Sequence, residues 1–192
     1  MANKMMPGVK ALQKLLGLGL DVRAFAGQFK ATEYIVKALK DYTKWCEKDG
    51  DYFKRRSIPV LTVVTGKPKH STERISKNIT AQMQFLARKH REFLLLPEPR
   101  TNELGEVELY RRPPPLLYGI IVAQTIAIFV TLDSSNPEAK LRHISHFDFK
   151  EPRVHVWHGI ALAIICVVAR NYTMSVKDEF EVDDESSSDP DA

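Results

Sequence analysis

Apolar side chains recur at helical spacing in four stretches of the chain and cluster as β-rich runs in the others. Val9, Leu12, Leu16 and Leu20 follow Pro7, a residue suited to a first helical turn, and Gly17 and Gly19 weaken the end of that helix. Over residues 31–47, Tyr34, Ile35, Ala38, Leu39, Tyr42, Trp45 and Cys46 make one wide apolar face, closed by the turn-forming run Glu47-Lys48-Asp49-Gly50-Asp51. Such a face covers a core or docks a partner; Tyr34, Ile35, Leu39, Tyr42 and Trp45 are its candidate partner-docking residues. Ile58 to Thr65 is β-branched, bounded by Gly66 and Pro68, and reads as a buried strand. Ser71 or Thr72 then caps a helix with Ile75, Ile79, Met83, Leu86 and Phe93 on one side, ended by Pro97 and Pro99.

Leu116 to Leu132 is nearly all apolar, interrupted by Gln124 and Thr125. A membrane span would be at its short limit there, with polar residues at its middle. The Ile, Val, Thr and Phe content favours two strands, 117–123 and 126–132, although the turn lacks Asn-Gly or Asp-Gly. Asp133 to Pro137 is a turn, and Leu141, Ile144 and Phe147 to Phe149 suggest a third strand. A helix is expected from about Val154 to Phe180; its all-round apolar middle, Gly159 to Ala169, is too short to span a bilayer and reads as a core helix.

These elements predict an α+β fold. N-terminal helices occupy residues 1–50. A core domain over 51–177 holds a small, mainly antiparallel sheet, a proline-rich loop near 97–115 and the long C-terminal core helix. A disordered acidic tail covers 178–192. Charge sharpens the division: Asp178 to Ala192 holds eight acids and no Lys or Arg, so the formal net charge of +4 conceals a body of +12. Cys46 and Cys166 stand apart in apolar helical contexts with no CxxC neighbour, which reads as buried free thiols in a reducing compartment. The first twenty residues carry no acid, yet lack the Arg and Ser of a mitochondrial presequence. The expected location is therefore intracellular, nuclear or cytoplasmic, rather than membrane or mitochondrion.

The segments YGIIV (118–122), FVTLDS (129–134), HFDF (146–149) and VWHGIALAI (156–164) resemble a family of uncharacterised filamentous-fungal proteins, over roughly the last 80 residues. The chain departs from that pattern at His155 and His158, where the family has Asp and Asn. More loosely, the order strand, Gln-bearing helix (Gln82, Gln84), hairpin, helix resembles fungal PD-(D/E)XK nuclease-like domains. That resemblance implies a metal-dependent nuclease site. Thr65-Gly66-Lys67 stands where it expects acid-x-Lys, so the site is degenerate.

Candidate chemistry is dominated by positive charge. Residues 54–91 contain Lys54, Arg55, Arg56, Lys67, Lys69, Arg74, Lys77, Arg88, Lys89 and Arg91 against the single acid Glu73. Clusters of this kind bind phosphate backbones through counterion release, and Lys54-Arg55-Arg56 fits part of a nuclear import signal. The acidic tail can compete for such a face, and Ser186 and Ser188, each with an acid three residues on, are candidate regulatory phosphorylation sites. His143, His146, Asp148, His155 and His158 invite a metal reading, but on a regular strand His143 and His146 point to opposite faces. Glu138-Ala139-Lys140, with Asp133 upstream, falls in a turn where nuclease chemistry needs a strand edge. No metal or cofactor is called for. The expected function is a non-catalytic binding protein for nucleic acid or chromatin. The alternatives are an assembly subunit with a protein partner or a second copy, and a divergent nuclease relying on Asp133 and Asp148.

Overall fold

The computed structural model describes residues 6–101, 103–105 and 107–182. Two helices open the chain, α1 (Pro7–Ala24) and α2 (Phe29–Asp49). They are followed by β1 (Leu61–Thr65), α3 (Thr72–Leu94), β2 (Leu95–Thr101), β3 (Val107–Tyr110), β4 (Leu116–Ala123), β5 (Ile126–Asp133), β6 (Arg142–Asp148) and α4 (His155–Ser175). A four-stranded sheet runs in the order β1-β4-β5-β6; β1 is parallel to β4 and the other pairs are antiparallel. The fold is α+β, with α3 carrying the crossover between the parallel strands.

Strand alternation divides the core between the two faces of the sheet. Ile120, Val122 and Ala127 pack with residues of α1, α2 and α4, while Leu117, Val130 and Leu132 pack with Ile79, Met83 and Ala87 of α3. A side chain at Gly119 would meet Met83 Sδ at 2.6 Å and Val130 Cγ2 at 2.8 Å, so the missing side chain lets α3 lie close to β4. Ser71 caps α3, its hydroxyl accepting the Arg74 N–H at 3.2 Å.

The 116–132 segment is a hairpin. Its loop, Gln124-Thr125, has φ of +54° at Gln124, a position that favours glycine. Tertiary hydrogen bonds hold the unfavourable residues there. The Thr32 hydroxyl donates to the Gln124 carbonyl (3.1 Å), the Thr125 hydroxyl to the Asp148 carboxylate (2.8 Å), and the Phe149 N–H to the Thr125 carbonyl (3.0 Å).

Four expectations change. The apolar face of α2 is turned inward: Ile35 and Leu39 are fully buried, Tyr42 is buried, and half-buried Tyr34 and Trp45 pack against the same cluster. Tyr34 stacks on Phe25, and Trp45 lies where Gly8 leaves room beside α1. Ile35, Leu39 and Tyr42 thus belong to the core, and Tyr34 and Trp45 pack at its edge, where each also lines a surface hollow. The expected loop near 97–115 contains the β2–β3 ribbon, whose strands pair with each other and not with the main sheet. Prolines and outward polar residues hid it, because a two-stranded ribbon with no buried face has no alternating pattern.

The C-terminal helix ends at Ser175, not Phe180, and the segment from 178 is not wholly a free tail. A 3-10 turn, Lys177–Glu179, leads into Phe180, which is buried and stacks on Phe93. Asp178 pairs with Arg55 at 3.1 Å, Glu179 pairs with Arg112, and the Arg56 N–H donates to the Glu181 carbonyl at 3.0 Å. The remainder of the tail, with Ser186 and Ser188, lies outside the described residues.

Both cysteines are buried and free. Burial pushes the Cys46 thiol up to about 12 and the Cys166 thiol up to about 11, which leaves both as unreactive thiols.

Candidate nucleic-acid interface

The ten basic residues of 54–91 do not form one surface. α3 is 23 residues long, about 34 Å at the helical rise. Lys67 and Lys69 lie in the connection to its N-terminus, and Arg74 and Lys77 in its first turns. Lys54, Arg55 and Arg56 lie at the opposite end, beside the segment that receives Phe180. Arg55 is committed there: its guanidinium donates to the Lys177 and Phe180 carbonyls at 3.0 and 3.3 Å and pairs with Asp178. Arg91 is half-buried, donating to the Ser134 carbonyl at 2.8 Å.

What remains is a coherent stripe. With Ile79, Met83 and Ala87 turned to the sheet, the helical repeat puts Arg74, Lys77, Ala81, Phe85, Arg88 and Lys89 on the outer side of α3, and all are exposed. Arg74 and Arg88 are about 21 Å apart along the axis. Acids enter this stripe at its ends, Glu73 in the first turn and Glu92 beside Arg88 at 3.6 Å.

Phe85 was not anticipated as part of the site. It is 49% exposed in the middle of the basic stripe. Arg88 and Lys89 lie over its ring at 5.6 and 5.7 Å from the centroid. A hollow opens on either side. One, of about 490 Å³, is lined by Gln84, Phe85, Arg88, Arg91, Asn136 and Pro137 among others; the second, of about 440 Å³, includes Pro59, Leu61, Thr62, Phe85 and Leu86. The signal was present in the sequence: Phe85 breaks the buried i, i+4 series Ile79–Met83–Ala87 and falls on the charged side.

His143 and His146 are brought together, against the expectation for a regular strand. The β5–β6 register shifts between Phe129 and Val130, so Val130 opposes His143 and Ile128 opposes His146. The extra residue restores the parity that a three-residue separation breaks, and the two rings stack at 6.2 Å. Both share the sheet face of Ile128 and Val130, which is the α3 side.

The remaining candidate residues serve structure. His158 Nδ1 lies 3.1 Å from the Asp148 carbonyl, with its ring against Phe147 and Phe149. His155 lies against the Pro152 carbonyl and the Arg23 guanidinium. Asp133 ends β5 and accepts from Ser135, whereas Asp148 opposes Ile126 at the other end of that strand. The two carboxylates are separated by the length of β5, roughly 23 Å, and cannot share a metal ion. Glu138 and Lys140 are exposed in the β5–β6 turn. Among the described residues no group of three His, Cys, Asp or Glu is placed to hold a metal.

No protein-family model, curated protein or solved structure matches the chain. The functional reading therefore rests on this surface.

Proposed function

We propose that the chain is a non-catalytic nucleic-acid-binding module that holds a single strand along the outer side of α3. The observation that carries the reading is Phe85, an exposed aromatic ring flanked by Arg88 and Lys89 and by two hollows. Single strands are held by cations that track the backbone and by aromatic rings on which bases stack, whatever the base. Arg74 and Lys77 extend the cationic track toward the start of the helix. His143 and His146, on β6, lie on the same side of the sheet as α3.

The acidic end of the chain supplies a competitor within the same molecule. Asp178 and Glu179 already pair with arginines at the C-terminal end of α3. The ten residues after Val182 include five acids, and their contour length of about 33 Å matches the length of the helix. Added negative charge at Ser186 or Ser188 strengthens that competition.

The test is a titration of fluorescently labelled single-stranded RNA and DNA by the full chain at low and physiological salt. The expected result is binding that weakens steeply with salt and is lost when Arg88 and Lys89 are both changed to Glu. No binding at low salt, or binding unchanged by the double reversal, refutes the reading.

A further inference from the structure

α4 is long and apolar enough to span a membrane by length and composition. In the fold it lies with one side against α1, α2 and the sheet, through Gly159, Leu162, Ala163, Cys166 and Ala169. The close approach to α1 depends on Gly159, where a side chain would meet the Leu15 carbonyl oxygen at 2.5 Å. The opposite side has no covering element among the described residues. Trp157 is 68% exposed, Ile164 57% and Val168 42%, with half-buried Ala161 between them. Their spacing of four, three and four residues aligns them into one stripe over three turns. No Asp, Glu, Lys or Arg occurs between Arg153 and Arg170, and His155 and His158 are engaged elsewhere.

We infer that this stripe is a self-association surface, taken by α4 of a second copy in antiparallel orientation. The side-chain sizes argue for that occupant. A two-fold axis between positions 162 and 163 sets Trp157 of one copy against Val168 of the other, and Ala161 against Ile164. Each layer then pairs a larger side chain with a smaller one, as interdigitated helix packing requires. A parallel pair sets Trp157 against Trp157 and Ala161 against Ala161, leaving a clash and a void. The uncharged stripe also brings no like charges together.

The area fits a weak association. With a Trp side chain at ~250 Å² and aliphatic ones at somewhat less, the stripe and the neighbouring exposed Val154 leave roughly 400 Å² open. Two copies bury about 800 Å², the size of a weak, concentration-dependent interface rather than a permanent one. The surface lies apart from the outer side of α3, so its use does not depend on nucleic-acid binding.

The experiment is sedimentation velocity of the full chain from low-micromolar to sub-millimolar concentration, with Ile164→Asp and Ala161→Lys alone and mixed. Ile164 faces solvent and Ala161 is half-buried, and circular dichroism verifies that the variants fold. The expected result is a mass that doubles with concentration and self-association weakened at least ~30-fold in each variant. The mixture should recover the dimer, because the introduced lysine of one variant meets the introduced aspartate of the other across the axis. A wild-type chain that stays monomeric throughout overturns the inference, as does a dimer that survives Ile164→Asp. A mixture that stays monomeric overturns the antiparallel register. A monomer that co-sediments with zwitterionic lipid vesicles assigns the stripe to a membrane surface and likewise overturns it.

Discussion

Phe85 is held by the helix on which it stands rather than by burial, so its removal separates binding from stability. Phe85→Ala is expected to weaken single-strand affinity about tenfold, the lower part of the range for loss of a base-stacking ring. Thermal unfolding should change little, because half of the ring is already in water. Anisotropy and differential scanning calorimetry on the same preparation check both halves. His90 behaves in the opposite way. It is buried, with Nε2 3.2 Å from the Pro59 carbonyl. Burial holds its pKa below the ordinary 6.5, opposed by the Pro59 hydrogen bond and assisted by the Arg112 charge. The unfolded chain therefore takes up a proton at this site before the folded one does. Its contribution to stability is complete above the ordinary value and is lost as pH falls from about 6.5 toward the folded value. Denaturant melts across that window should fall with acidity in the native chain, and His90→Gln should flatten the dependence.

At the scale of elements, the segment after α4 works as a strap. Phe180 is buried against Phe93, while the ion pairs of Asp178 and Glu179 lie at the surface. Apolar burial outweighs exposed ion pairs by several-fold. Phe180→Ala should thus cost about 3 kcal/mol in urea unfolding, and Asp178→Asn well under about 1 kcal/mol. Equal effects would mean that charge, not the ring, holds the strap. The crossing of α1 and α4 has a different basis. Gly159→Ala would push a methyl group against the Leu15 backbone, which has no flexible side chain to yield. A loss of about 1–3 kcal/mol is expected from overpacking, read by the same unfolding measurement.

At the scale of the whole molecule, charge is distributed against itself. Removing residues 183–192 deletes five acids and takes the formal net charge from +4 to +9. The 1–182 chain should bind single strands more tightly than the full chain, with the difference shrinking as salt screens the tail. Equal affinities at low salt would leave the tail without a competitive role.

Apolar periodicity determined the first three helices, β-branched content the hairpin strands of residues 117–132, and an all-round apolar run the last helix; together they set the α+β class. The charge count placed the positive charge along residues 54–91. Only the tertiary structure decided which of those charges share a surface, since that depends on how α3 rolls on the sheet and on Arg55 being drawn to the strap. It also turned Ile35, Leu39 and Tyr42 into core and set Tyr34 and Trp45 at its edge, because an amphipathic helix looks the same whether its cover is its own chain or a partner. The pairing of His143 with His146 rests on one bulge in β6, and a bulge arises from register between strands. The exposed stripe on α4 was hidden for a related reason. A helix that is apolar all round declares a need for cover, and the packing of α1, α2 and the sheet decides which side is left without it.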